Sequence, residues 1–384
     1  MVSLRIIDDE FNLLGEIDQY TSLQMNNSWS GIGEVELHVN RYVQYAEHLK
    51  MDNIIFPTNR LDRAFVILSR EIELNEEGKA TENWRITALP IKAYLAKRLV
   101  FPALNQSHNV VKASVEDVMC HYVQTEMITP YDEGRIYQNM TVAPSKSRGE
   151  IIEKKVRFDG LAELLESLSK NSNFGWNVEL DVENKKFVFK VLEGTNRSVN
   201  QVDNPPVIFS TEFGTLLNLS FAESKLEYKN VAIVAGQGEG VDRTIVQVGE
   251  ATGKDRYEVF IDARDVSDTE GEGEEEVARP QGDVEAELVE RAEEKLEEFE
   301  QTMFLEGQAL DNSAQQFERD YFVGDIVTLQ DKGWGVTIDV RITSAKEIVE
   351  DHQRSIELTY DNDRPTLISK IKKELSGFKN ELKR

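Results

Sequence analysis

Between Gly335 and Ser344 the apolar residues Val336, Ile338, Val340 and Ile342 alternate with polar neighbours. A period of two puts all four on one face of an extended strand and is incompatible with a helical stripe. Similar short runs occupy Leu4 to Ile7, Leu13 to Ile17, Val35 to Val39, Ala64 to Leu74 and Trp84 to Ala88. They return at Val207 to Ser210, Asn230 to Ala235, Thr244 to Val248, Glu258 to Asp262, Ile326 to Leu329 and Ser355 to Tyr360. Such a chain has to build sheets from both ends of its length.

The section between these two sets has a different texture. Ser114 to Glu126 reads as a helix with a Ser cap and an apolar face of Val115, Val118, Met119, Tyr122 and Val123. Leu161, Leu164, Leu165 and Leu168 predict a second helix over Asp159 to Ser169, and Gly175 to Glu193 a hairpin turning at Glu183 and Asn184. Pro205 and Pro206 resist helix and interior strand and mark a boundary. Ser267 to Gly282 has almost no apolar content and predicts a weakly ordered surface loop. The helix expected next, Asp283 to Met303, carries Val284, Leu288, Ala292, Leu296, Phe299 and Met303 on one stripe. Beyond Pro365 a basic terminal helix places Leu367, Ile371, Leu375, Phe378 and Leu382 on one side, a spacing suited to a groove or a partner. The expected class is α+β and β-rich: a β domain at 1–104, an α+β domain at 105–203, a second β domain at 204–362 with a loop and helix insertion at 266–303, and a terminal helix at 363–384.

Composition narrows the function. A chain of 384 residues with 40% hydrophobic content can fill two or three cores. No run approaches the ~20 apolar residues needed to span a bilayer, and Met1 to Asp9 lacks the basic and apolar regions of a secretion signal. Cys120 is the single cysteine, which excludes an internal disulfide framework and fits synthesis in a reducing cytoplasm. A formal net charge of −26 argues against specific nucleic-acid binding, because phosphate affinity comes from Lys and Arg. Acidic walls would still suit a channel that passes DNA without holding it, although acidity also serves plain solubility.

Candidate chemistry is thin. Asp8, Asp9 and Glu10 fall at a hairpin turn, where acids are ordinarily solvated. Gly236-Gln237-Gly238-Glu239-Gly240 follows a strand, but the next segment is β-branched rather than helical and Glu239 and Asp242 repel anions, so the loop reads as a hairpin and not a phosphate cradle. His38, His48, His108, His121 and His352 have no metal-binding spacing. Cys120 and His121 are adjacent on a helix, point apart, and do not form a nucleophile and base. Asp262, Asp265 and Asp268 lack the alternation of a calcium loop. No catalytic, cofactor-binding or metal residue is assigned, and no cofactor is expected.

Several blocks in order carry a resemblance: Leu4-Arg5-Ile6-Ile7-Asp8 to Leu14-Gly15-Glu16-Ile17, Asn204-Pro205-Pro206-Val207-Ile208-Phe209-Ser210, and Tyr228-Lys229-Asn230-Val231-Ala232. They continue through the Gly236 to Gly240 loop, Val259-Phe260-Ile261-Asp262-Ala263-Arg264-Asp265 and Gly324-Asp325-Ile326-Val327-Thr328. From Leu4 to about Tyr360 the chain resembles siphophage tail-structural proteins of the tail-associated or baseplate-hub kind. The resemblance implies two β-barrel-like tube domains per subunit and a homotrimeric ring at the virion tail tip, adapting a six-fold tube to three-fold symmetry. It also implies a distal tail ring protein, a tape-measure protein and a fibre, spike or receptor-binding protein as partners, DNA passing through the lumen, and no enzymatic role. The stripe from Leu367 to Leu382 is then the candidate docking element. The alternative is a tail-tip hydrolase or carbohydrate-binding module acting on the cell envelope, which a deep pocket with convergent carboxylates or aromatics would favour.

Overall fold

The computed structural model of the chain describes residues 2–72, 82–102, 104–240, 243–270, 277–297, 299, 302–309, 315–333, 335–350 and 353–360. The expected terminal helix at 363–384, with Leu367, Ile371, Leu375, Phe378 and Leu382, lies outside the described residues, as do 271–276 of the acidic loop. The chain divides into two compact units, a larger one of Met1–Ser220 with Leu305–Arg384 and a smaller one, Phe221–Phe304, inserted within it.

The larger unit is organised by a thirteen-stranded sheet. Its central path runs Gln353–Tyr360, Val336–Glu350, Ser22–Ser28, Glu34–Asn40, Asn83–Pro90, Phe65–Glu71, Ile54–Pro57, Leu4–Ile7 and Leu13–Ile17. The long strand Val336–Glu350 serves two partners in succession. Its first part pairs with Ile326–Asp331, and its second part lies between Gln353–Tyr360 and Ser22–Ser28. The two β regions therefore share one sheet, with no closed barrel among the described residues. The β-rich α+β class expected from the sequence holds. Ser22–Ser28 and Ile54–Pro57 escape period-two reading, the first for its two asparagines and the second because all four residues are buried.

The alternation that marked the strands sets their cores. Leu23, Met25, Val35, Leu37, Val39, Ile86 and Ala88 face one cluster, and Val327, Leu329, Val340, Ile342, Ile356 and Leu358 another. Between these regions in sequence, helices Val115–Val123 and Leu161–Lys170 pack on the hairpin of Phe174–Asp181 and Lys186–Glu193. Ser114 caps the first helix by accepting a hydrogen bond from the Asp117 N–H at 3.2 Å, and the expected apolar faces of both helices are buried.

The inserted unit holds a three-stranded sheet, Ile245–Val248, Val231–Ala235 and Glu258–Asp262, with helix Gln281–Glu297 packed on one face. Val284, Leu288 and Ala292 are buried there against Ala232, Val234 and Ile261. The helix is shorter than its apolar stripe predicts. The N–H of Lys229 binds the Phe299 carbonyl at 3.0 Å, and Met303 belongs to strand Thr302–Ala309. The strand that Met303 enters pairs with Gln353–Tyr360 from Leu305 onward, and that sheet pairing overrides the helical spacing of Met303. Phe221 to Phe304 contains 24 Asp and Glu against 9 Lys and Arg, the main source of the chain's negative charge.

Candidate functional site

In the larger unit three short stretches meet over a cavity of about 300 Å³ whose apolar wall is Val2, Met25, Pro57 and Val349. The turn after Ile54–Pro57 supplies Arg60, Asp62 and Arg63, the segment before Tyr321 supplies Glu318, and the paired strands Val336–Glu350 and Gln353–Tyr360 supply Glu347 and Arg354. Arg63 Nη1 donates to Glu347 Oε2 at 2.9 Å and Arg354 Nε to Glu347 Oε1 at 2.8 Å. Glu318 lies between Arg60 and Arg63, and Arg60 also meets Asp62 at 2.6 Å. Burial acts against the charged form of Glu347, but the bonds and charges of Arg354 and Arg63 hold its pKa below the usual carboxylate range. Burial likewise opposes ionisation of Asp62, and Arg60 overcomes it.

Every carboxylate named here faces a guanidinium, and Glu347 and Asp62 are held ionised rather than protonated as a general acid would be. The chemistry available to this cluster is adhesive: it joins residues 58–63 of the first β region to residues 318–354 of the second. Buried acids elsewhere also face an arginine. Glu116 pairs with Arg148 at 2.8 Å, Glu126 with Arg135 at 2.9 Å and Asp325 with Arg197 at 2.9 Å.

A second joint centres on Trp29. Its backbone N–H donates to the Thr343 carbonyl at 2.9 Å, and its ring lies against Gly175 and Gly324 so closely that a Cβ at either position would collide with it. Gly324 also has φ of +98°, which a side chain would strain. One indole thus touches the first β region, the α+β section and the second β region. Beside it Lys92 is fully buried, donating to the Ser28 carbonyl at 2.8 Å with its Nζ 4.8 Å from the Trp176 ring centroid. Burial pulls the Lys92 pKa down to about 7, opposed by Glu166.

The other sequence candidates find ordinary roles. Asp8 accepts hydrogen bonds from Glu10 N–H and Asn12 N–H at 3.0 and 2.8 Å, closing the first hairpin turn. The glycine loop joins antiparallel strands, with φ of +105° at Gly238 and +58° at Gly240. Burial pushes the Cys120 thiol up to about 12, and the ring of His121 bonds Asn109 at 2.9 Å. Asp262 is held low by Arg264 and Arg243, and Asp265 pairs with Arg291 at 3.0 Å. The docking stripe Leu367, Ile371, Leu375, Phe378 and Leu382 lies outside the described residues. Sequence reading missed the ion-pair joint. One signal was present: Ala345, Glu347 and Val349 share the buried face of a single strand, so Glu347 interrupts an apolar register.

Comparison with known proteins gives these features a context. The sequence model of the Siphovirus ReqiPepy6 Gp37-like protein family matches residues 3–360. The 43 kDa tail protein of prophage MuSo2 from Shewanella oneidensis shares the fold at 11% identity and a TM-score of 0.55, over 93% of this chain and 98% of that one. The tail protein from Neisseria meningitidis MC58 shares it at 11% identity and a TM-score of 0.52, over 94% of this chain and 97% of that one. No curated protein matches the sequence.

Proposed function

The chain belongs to the Siphovirus ReqiPepy6 Gp37-like protein family, and from that membership we propose that it is a structural hub at the tip of a phage or prophage tail. Three copies form a ring that continues the tail tube, adapts six-fold to three-fold symmetry and lets DNA leave through its lumen. A distal tail ring and a tape-measure protein adjoin it, a fibre, spike or receptor-binding protein docks on it, and it catalyses no reaction. The division at 104, 203 and 362 belongs to this reading, with the two β regions as the tube-forming parts.

The observation that carries the proposal is the locked junction between those regions. A ring subunit has to transmit load between neighbours without changing shape, and Trp29 with the Arg63, Glu347 and Arg354 cluster supplies a rigid joint at that place. Charge-matched acids suit such a joint and suit glycoside hydrolysis poorly, since that reaction needs one carboxyl group kept protonated. The terminal stripe of Leu367, Ile371, Leu375, Phe378 and Leu382 is the proposed docking element.

Antibody labelling tests the reading. Antibody raised against the chain should decorate the tail tip in electron micrographs of particles that contain it. Labelling of the capsid, or release of sugar from bacterial cell walls by the purified chain, would overturn the hub role in favour of another.

A further inference from the structure

The ion pairs of the joint leave one donor beside its cavity unused. Arg63 is 6% exposed, and its two Nη atoms are taken by Glu347 and Glu318. Its Nε is buried and meets no acceptor among the described residues. Arg60, by contrast, donates through Nε and Nη2 to Asp62 at 2.9 and 2.6 Å and through Nη1 to Glu318. A buried N–H on a charged group with no acceptor costs free energy that the acceptor of a ligand would recover.

The walls define the chemistry of such a ligand. Three guanidinium groups, those of Arg60, Arg63 and Arg354, line the cavity against the two carboxylates of Glu318 and Glu347, and Asp62, which balances Arg60, stays outside the lining. The unmet group is a donor and the lining has one positive charge in excess, so an amine is opposed. An ionised carboxylate, which only accepts hydrogen bonds, is matched. The remaining wall of Val2, Met25, Pro57 and Val349 is apolar and calls for an apolar body beside that carboxylate. A volume of about 300 Å³ equals that of roughly ten waters at ~30 Å³ each, enough for a body of about ten heavy atoms.

The seat is also held in shape. Met25 stands opposite Glu347 and Val349 opposite Arg354 in neighbouring strand pairs, so one sheet face carries both apolar and charged parts of the floor. The turn that brings Arg60 and Arg63 is closed by two backbone bonds, Arg60 N–H to the Pro57 carbonyl at 2.9 Å and Arg63 N–H to the Arg60 carbonyl at 3.1 Å. A donor fixed in this way binds without first being ordered.

We propose that this cavity is a binding site for a small carboxylate carried on an apolar body, its oxygen accepting from Arg63 Nε and its body lying against Met25 and Val349. The ligand adds to the joint without displacing its ion pairs, so binding stabilises the larger unit. The inference goes beyond the tail-tip role and does not depend on it.

The test uses the full chain, labelled at its methionine methyl groups, with benzoate as the probe. Benzoate should shift the Met25 methyl resonance along a saturable one-site curve, with a Kd on the order of millimolar for so few atoms, and should raise the unfolding temperature as it saturates. Benzamide, its uncharged counterpart, and benzylamine, its cationic one, should bind several-fold more weakly. Two variants locate the seat. Arg63→Met with Glu347→Met removes the unmet donor and keeps the charge excess of the lining, and Val2→Phe adds bulk to the apolar wall. Each should cut benzoate affinity several-fold at unchanged circular dichroism. A Met25 resonance unmoved by benzoate, equal binding of benzamide, or an affinity unchanged in both variants would overturn the inference.

Discussion

The two units solve the problem of burial differently. The larger one commits its cores, its arginines and its glycines to fixing one β region against another: Trp29 sits on two glycines, and Glu347 is held by two arginines whose nearest sequence neighbour among them is seven residues away. The inserted one shows, among the described residues, one small core beneath one helix, and its sequence carries 24 acidic against 9 basic residues. Rigidity is thus concentrated where regions distant in sequence must hold a common geometry, and the small unit has a core of its own.

If that contrast is right, damage to the larger unit spreads and damage to the smaller one stays local. Trp29→Ala should have the largest effect, about 3–5 kcal/mol of stability for a large aromatic lost from a packed site. Urea unfolding followed by hydrogen exchange should show the whole larger unit weakened, and a loss under about 1 kcal/mol would remove Trp29 from the centre of the account. Glu347→Ala should cost about 3 kcal/mol by removing the buried carboxylate that Arg63 and Arg354 share, and the Arg63→Met, Glu347→Met double variant should recover much of it. Failure of the double variant to recover would mean that the cluster does more than neutralise itself.

The same residue gives a pH signature. The folded pKa of Glu347 is depressed, so its stabilisation is present above the unfolded value of about 4.3 and is lost as pH falls through the folded one. Glu347→Gln should flatten the acid dependence of the larger unit's unfolding in the region below about pH 4.3.

Smaller effects belong to the smaller unit. Leu288→Ala should cost about 2–3 kcal/mol, with faster exchange confined to 231–297. Faster exchange in Ser22–Ser28 as well would show that the units unfold together. Deletion of 271–276, which spares the pairing of Thr269–Glu270 with Val277–Ala278, should change stability by less than about 0.5 kcal/mol and leave assembly intact, because the deleted residues are all Gly or Glu and bring no apolar anchor. Loss of assembly would give that acidic stretch a role that its composition does not suggest.

The same contrast explains what could be read in the sequence. Strands Leu4–Ile7, Leu13–Ile17 and Glu258–Asp262, the Ser114 cap and the hairpin at Glu183 follow from local pattern, and all appear where pattern puts them. The spacing of Met303 from Leu296 and Phe299 is helical, yet Met303 lies in a strand whose partner, Gln353–Tyr360, is remote in sequence. The joint was largely hidden for the same reason. Arg63 and Glu347 are 284 positions apart, and nothing local pairs them. Trp29 has no periodic neighbours, and the significance of Gly175 and Gly324 lies in a ring that reaches them from far along the chain. The fold was legible wherever a period carried it, and the site was not, because it is made of long-range closures.

The proposed ring-forming role is tested most directly by cryo-electron microscopy of the purified protein at high concentration. The account predicts a ring of three copies around an open channel, with the two β regions of each copy forming the wall. Well-dispersed single chains at that concentration, each closed around a deep polar pocket, would contradict it.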